Sequence, residues 1–349
     1  MKARFGSTRA VVLWFTIIVC LAGISGRAEA AKQALRPFTI AVFQSEAYLA
    51  DYVAKDEGFG AKHGLDIRFV TPSNGAAAAQ LMLAGAVDGW TTDPLIILGA
   101  AAQGYGIRMA GVLAPAISYW VLVSKHDQWP SANAPLAEKI AALKGKKIAV
   151  SGIGAGTDHA LLLLLKAGHL EASDVTRIGI GQQQAAIGQL DAGRIDAFVS
   201  FSLAGNAEIM QQTGARLYLS TQDADVPASV RAIPSDTFAV AASLASKDPG
   251  LVAQWLAAEQ DALAWIHAHP DQAAALLNKH VFNNEHPKLA KSIIPQMWST
   301  YFQNTPAGFK VAPASYKALL DAGIELGIVP QPQKVTYDDV VIPAARTGN

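Results

Sequence analysis

The chain has 349 residues, 51% hydrophobic and 16% charged, which is apolar material enough for two lobes of roughly 100–200 residues each. Lys and Arg number 28, as do Asp and Glu, so the formal net charge is zero and there is no overall pull toward nucleic acid or anionic lipid. The only cysteine is Cys20, which excludes an internal disulfide framework and a thiolate metal cluster.

The first 30 residues read as an export signal. Lys2, Arg4 and Arg9 make a positive start, an apolar stretch runs from Ala10 to Ile24, and Ala28-Glu29-Ala30 fits a cleavage site of the A-x-A kind. The stretch is short for a spanning helix, which needs roughly 20 apolar residues. An uncleaved anchor and a lipobox around Cys20 are the alternatives, the second disfavoured by the bulk of Val19. Cleavage after Ala30 removes Cys20 and with it any thiol nucleophile. Of the later segments, Ala76 to Val87 comes nearest to a membrane span, but Gln80 interrupts it and Asp88 follows.

Beyond residue 30 the pattern alternates strand and helix. Phe38 to Phe43 reads as a buried strand, Tyr48 to Glu57 as a helix, and Leu65 to Val70 as a second strand with period-two alternation. Pro72-Ser73-Asn74-Gly75 is turn chemistry, Ala76 to Leu83 a helix, Val87 to Thr91 a short strand, and Asp93-Pro94 caps and opens the next helix. The same grammar restarts with strands at 147–150, 176–180 and 195–200 and helices at 158–167 and 185–190. Strands that alternate with helices imply parallel sheets covered on both faces. Leu83 to Gly89 also echoes Leu190 to Ala197: each ends a helix at a glycine and starts a strand after an acid, Asp88 or Asp196. Thr237 to Ala242 reads as a returning strand, Pro249 to Gly327 as mostly helical, and the tail after Gln331 as loosely ordered.

Three stretches together resemble one family. They are Tyr52 to Phe59 with Lys62 to Asp66, Leu81 to Asp88, and Leu143 to Val150 with Gly154 to His159 and Asp174-Val175. In order and spacing they resemble the nitrate, sulfonate, taurine and bicarbonate group of ABC-transporter solute-binding proteins, which carry the NMT1/THI5-like domain, over about residues 38 to 260. Ala50 stands where the family usually has proline, and Thr92-Asp93-Pro94 varies a small-residue stretch. The resemblance implies an α/β, two-lobed periplasmic-binding-protein fold of type II. Each lobe is a mainly parallel sheet flanked by helices, and two crossings, placed near 120–124 and 238–242, join them. The expected division is a signal peptide at 1–30, lobe I at 35–122 plus 240–345, and lobe II at 123–239. The implied protein is a periplasmic monomer with no cofactor or metal. It hands a small polar or anionic solute, sulfonate-, nitrate- or taurine-like, to the permease and ATPase subunits of an importer.

In open α/β sheets, ligands sit beyond the carboxyl ends of the strands. That rule nominates the loops after each strand, and from them Gln44, Ser45, Asn74, Thr91, Thr92, Gly154, Gly156, Thr157, Ser200 and Phe201; Trp90 and Trp120, aromatics that fit pocket and core equally, complete the solute-binding set. The turn Ser151 to Thr157 concentrates glycines before a helix, a geometry that suits an anion. It lacks both the P-loop ending and the dinucleotide spacing. Phe43 and Tyr48 fit core as well as pocket, His159 reads as a solvated or capping residue, and Arg231 is the basic residue to watch beside an anion. Lys144, Lys146 and Lys147 read as a solvated turn, Asp88 and Asp196 as structural acids. His267, His269, His280 and His286 show no metal spacing. Two rivals remain: an enzyme of the thiamine-pyrimidine synthase type, whose cysteine-rich motif is missing here, and a ligand-sensing module.

Overall fold

The computed structural model describes residues 34–332 and 334–347; the expected signal segment, its cleavage site and Cys20 lie outside the described residues. Residues 35–349 form one compact unit. Its described residues contain ten strands: β1 (Arg36–Ala41), β2 (Leu65–Val70), β3 (Gly89–Thr92), β4 (Ile107–Val112), β5 (Trp120–Val123), β6 (Lys147–Val150), β7 (Thr176–Gly179), β8 (Ala197–Ser200), β9 (Arg216–Ser220) and β10 (Thr237–Ala241). They build two five-stranded mixed sheets flanked by helices, ordered β2-β1-β3-β10-β4 and β7-β6-β8-β5-β9. β3, β5 and β8 are buried along their whole length, as strands covered on both faces by helices must be. The edge strands β4 and β9 escape the sequence patterning. β4 is Ile-Arg-Met-Ala-Gly-Val, buried at all but Arg108 and without period-two alternation, and β9 sets Leu217 outward and Tyr218 inward.

The two sheets repeat one plan, and the short sequence echo marks it. Asp88 Oδ2 accepts the Thr39 N–H at 2.8 Å, and Asp196 Oδ2 accepts the Lys147 N–H at 2.7 Å. Each acid thus satisfies a backbone donor of the strand beside its own. The preceding Gly85 and Gly193 hold φ of +74° and +61°, the left-handed turn that glycine reaches without a Cβ penalty. Both acids are structural, as their place before the strands implies.

In each sheet one strand is antiparallel to both of its neighbours, β10 in the first and β5 in the second. The reason is connectivity. The chain leaves the first sheet at the carboxyl end of β4, crosses through 113–119, and must enter the second sheet running away from that end. It returns through 232–236 into β10 in the same way. The crossings expected near 120–124 and 238–242 therefore fall a few residues out of place, because Trp120–Val123 and Thr237–Ala241 are strands inside the sheets. The expected lobe limits at 122 and 240 cut through those strands. The true crossings are bonded to one another: Leu113 and Ala114 donate to the Asp236 carbonyl at 2.8 and 3.0 Å, and Ser235 N–H donates to the Ala114 carbonyl at 3.0 Å.

Helices from the C-terminal region complete the first sheet. Four of them, Pro249–Ala268, Pro270–Val281, Pro287–Met297 and Pro313–Glu325, open on proline, which loses nothing by lacking an N–H there. Trp255 packs against Phe38 and Phe238 at centroid distances of 5.2 and 5.1 Å. The tail is not loose. Val340 and Val341 are fully buried, and isolated bridges pair Val341 with Met109 and Arg346 with Val311. Its apolar side chains anchor it to the sheet edge. No helix among the described residues is long and apolar enough to cross a membrane.

Candidate functional site

The carboxyl ends of the strands of both sheets face one cleft. The loop after β1 brings Phe43, Ala47 and Tyr48; that after β2 brings Ser73, Asn74 and Gly75; β3 ends in Trp90, Thr92 and Asp93, with Ile96 beyond. From the second sheet come Ser151, Ala155, Gly156 and Thr157 after β6, Gly181 and Gln182 after β7, and Phe201 after β8. The two crossings add Tyr119 and Asp236. About 60 Å³ of the cleft admits the centre of a water-sized molecule, room for several waters or one small solute.

Of the twelve nominated residues, Asn74, Trp90, Thr92, Gly156, Thr157 and Phe201 line this cleft. The other six do not. Gln44 points into a separate groove with Gln184, Glu208 and His286, since Phe43 takes the inward position. Ser45 caps a short turn by accepting from Ala47 N–H at 3.3 Å. Thr91 is fully buried, and its carbonyl accepts from the Tyr48 hydroxyl at 2.9 Å. Trp120 is buried edge-on against Tyr301. Ser200 donates to Gln183 Oε1 at 3.1 Å inside the second half.

Part of the glycine-rich turn is occupied from within the chain, beginning with Gly154. Its N–H donates to Asp158 Oδ2 at 2.9 Å, and Arg177 clamps both oxygens of that carboxylate at 2.7 Å. The chain supplies its own anion. Ser151 N–H is likewise taken, by Thr157 Oγ1 at 2.9 Å. Gly156 serves close packing instead: a Cβ there would collide with the Tyr119 hydroxyl and come within 2.9 Å of Asp93 Cβ.

Side chains bridge the cleft at three places. Glu46, fully buried in the first half, accepts from Ser202 Oγ at 2.6 Å and from the N–H groups of Leu203 and Ala204, the first turn of the helix Leu203–Thr213. Burial pushes its carboxyl up, and these donors pull it partly back. Asp93 Oδ2 lies 2.6 Å from His159 Nδ1, with both side chains buried, so His159 is neither solvated nor a cap. Gln182 Nε2 donates to the Pro72 carbonyl at 2.8 Å.

The lining holds two carboxylates, Asp93 and Asp236, and no lysine or arginine. Arg231 donates to the Val226 carbonyl at 3.1 Å and stays out of it. Asp236 Oδ2 is shut off from solvent without a hydrogen-bond partner. Burial raises the Asp236 carboxyl to about 7; Ser235 offsets this in part, and the charges of Asp93 and Glu46 add to it. Burial, then Asp93 and Asp236, hold the Tyr119 phenol well above its ordinary value. Tyr119 and Asp236 had no sequence signal, because they sit on crossings rather than after parallel strands. Among the described residues no group of His, Cys, Asp and Glu could hold a metal ion. The lysines expected as solvated form surface pairs, Lys144 with Asp174 and Lys146 with Asp127.

Residues 46–273, more than half of the chain, match the family described as NMT1/THI5 like. A solved protein from Bordetella bronchiseptica RB50 is 22% identical, with a TM-score of 0.71 over 89% of this chain and 94% of its own. The alkanesulfonate-binding protein SsuA from Xanthomonas axonopodis pv. citri, bound to MOPS, is 16% identical with a TM-score of 0.68 over 90% and 99%. The periplasmic nitrate-binding protein NrtA from Synechocystis PCC 6803 is 16% identical with a TM-score of 0.65 over 85% and 83%. At such identities the likeness is one of fold, the periplasmic-binding-protein fold that the sequence resemblance implied. No curated protein matches the chain in sequence.

Proposed function

The chain belongs to the NMT1/THI5-like family, and from that membership we propose that it is the extracytoplasmic solute-binding component of an ABC importer. It captures one small polar solute between its halves and delivers it to a membrane permease driven by ATPase subunits. The observation that carries this reading is the set of bridges across the cleft. Glu46 to Ser202, Asp93 to His159 and the Gln182 side chain to the Pro72 carbonyl join groups borne by different sheets, and each can form only when the halves are together. Two short, mutually bonded crossings form the hinge such closure needs. The similar folds of a sulfonate-binding and a nitrate-binding protein support a transport role and a periplasmic location. Asp158 takes the Gly154 N–H of the glycine-rich turn, so that donor is not offered to a solute.

The test is scattering with calorimetry. The purified protein should bind one equivalent of its solute and shrink in radius of gyration on binding, with no product formed. An unchanged radius at saturation would refute closure.

An enzymatic reading has one observation in its favour, the buried His159–Asp93 pair beside the cleft. His159 is not itself among the lining side chains, which leaves a substrate no direct approach to its ring in this closed form. Turnover of a bound solute, abolished by His159→Ala, would support it.

A further inference from the structure

We infer that the solute is an organic cation: a compact molecule with a flat apolar body and a positive group bearing N–H donors, seated against Asp236 among the rings of Phe43, Trp90, Tyr119 and Phe201. This rests on the solute-binding reading above and departs from the anion expected from the sequence.

Three acids approach the cleft, and the structure answers two of them. Glu46 is met by the first turn of a helix and by the hydroxyls of Ser202 and Tyr301. Asp93 is met by His159 and faces the N-terminal turn of the helix Gly156–Ala167, whose dipole favours negative charge. Of the three acids, Asp236 alone lines the cleft while keeping a buried oxygen, Oδ2, without a partner. A buried polar atom without a partner is costly and asks for an explanation. The groups facing it are the acids Asp93 and Glu46 and the phenols of Tyr48, Tyr119 and Tyr301, so no resident charge compensates it. An anion in this space would add to the repulsion. A cation would relieve it, and aromatic walls add attraction to a positive group over their faces.

Asp236 also lies on the hinge. Its carbonyl accepts from Leu113 and Ala114 on the other crossing, so a solute that engages its carboxylate grips both connections between the halves. Binding and closure are thereby coupled through one residue.

The test uses ring compounds of matched size and different charge: benzylamine and benzamidine, benzyl alcohol, and benzenesulfonate, with methanesulfonate, taurine and nitrate as small anions and a zwitterion. Calorimetry on the purified protein should show binding by a cation. Its affinity should rise about tenfold from pH 6 to pH 8, as a carboxyl raised to about 7 passes from mostly protonated to mostly ionised. Asp236→Asn should weaken the cation at least about tenfold, with circular dichroism unchanged. The wild-type pH profile tests the inference independently of that variant. Binding of benzenesulfonate, methanesulfonate or nitrate in preference, tightening toward pH 6, would overturn the inference and leave the transport reading intact. So would a cation that binds Asp236→Asn as tightly as the wild type. If no compound of the series binds at pH 8, the inference is overturned, and the transport reading then stands or falls on the scattering test of closure.

Discussion

The carboxylate of Glu46 and the hydroxyl of Ser202 meet at 2.6 Å across the cleft, although they are borne by different sheets and lie 156 residues apart. Glu46 takes the donors that a helix start leaves unpaired, a role that a residue on the helix itself normally fills. Hydrogen bonds to a charged group contribute about 1.5–3 kcal/mol, and every 1.4 kcal/mol is tenfold in an equilibrium. Glu46→Gln keeps the volume but offers one acceptor oxygen in place of two. It is expected to lower solute affinity about tenfold and to enlarge the radius of gyration of the solute-free protein. Unchanged scattering and an unchanged Kd would show that this contact does not hold the halves together.

Much of this arrangement is legible from the residues, and the exceptions have a common cause. The strand–helix alternation is a local signal, because period and turn chemistry act over a few residues. Asp88 and Asp196 are readable for the same reason: each bonds the strand next to its own. The strand-end rule finds Asn74, Thr92, Gly156, Thr157 and Phe201, but it cannot tell which side of a loop faces inward. Gln44 therefore falls in another groove while Phe43 enters the cleft. In the glycine-rich turn the Gly154 N–H is taken by Asp158, which Arg177 on β7 holds in place, while Gly156 and Thr157 line the cleft; the sequence shows the glycines but not this internal pairing. Tyr119, Asp236 and Tyr301 gain meaning only when crossings and C-terminal helices close on the cleft, and no local pattern encodes that.

Gly156, at the start of the second-sheet helix Gly156–Ala167, lies tight against Tyr119 and Asp93. Alanine there suits the helix, so helix propensity alone predicts little change or slight stabilisation. The collision with Tyr119 and Asp93 predicts the reverse for closure. Gly156→Ala is expected to keep its helical content and lose at least about tenfold in solute affinity, because separating the halves breaks the Asp93–His159 bridge. Calorimetry beside circular dichroism checks it; wild-type affinity would mean that Tyr119 moves aside without cost.

The repeated acid of the two sheets can be tested as a pair. Asp88→Ala and Asp196→Ala each strip a partner from a strand N–H, at a cost of about 1–3 kcal/mol per site. The sites belong to different sheets, so the double variant should show the sum within about 0.5 kcal/mol. Urea unfolding at neutral pH reads this directly. A large excess over additivity would mean that the two sheets communicate through more than the crossings.

Asp51 and Glu259 form a buried acid pair under the first sheet, and their titration should run stability downhill with pH. Trp255 Nε1 donates to Glu259 Oε1 at 3.0 Å, while Asp51 Oδ1 and Glu259 Oε2 are buried without a partner of that quality. Burial raises Asp51 to about 7, partly offset by its bond to Glu259. Burial first, then the charge of Asp51, hold Glu259 well above the ordinary carboxyl value. The folded protein therefore keeps protons that the unfolded chain releases above about pH 4, so stability falls as pH rises from there through 7. At about 1.4 kcal/mol per unit, the Asp51 contribution alone is on the order of a few kcal/mol by pH 8. Asp51→Asn removes the charge and can still donate to Glu259. It is expected to be more stable than the wild type at pH 8 and nearly equal to it at pH 4, with a flatter profile between. Denaturant midpoints across that range decide the matter, since a wild type that outlasts Asp51→Asn at pH 8 would show that the pair is ionised at little cost and that burial does not govern it.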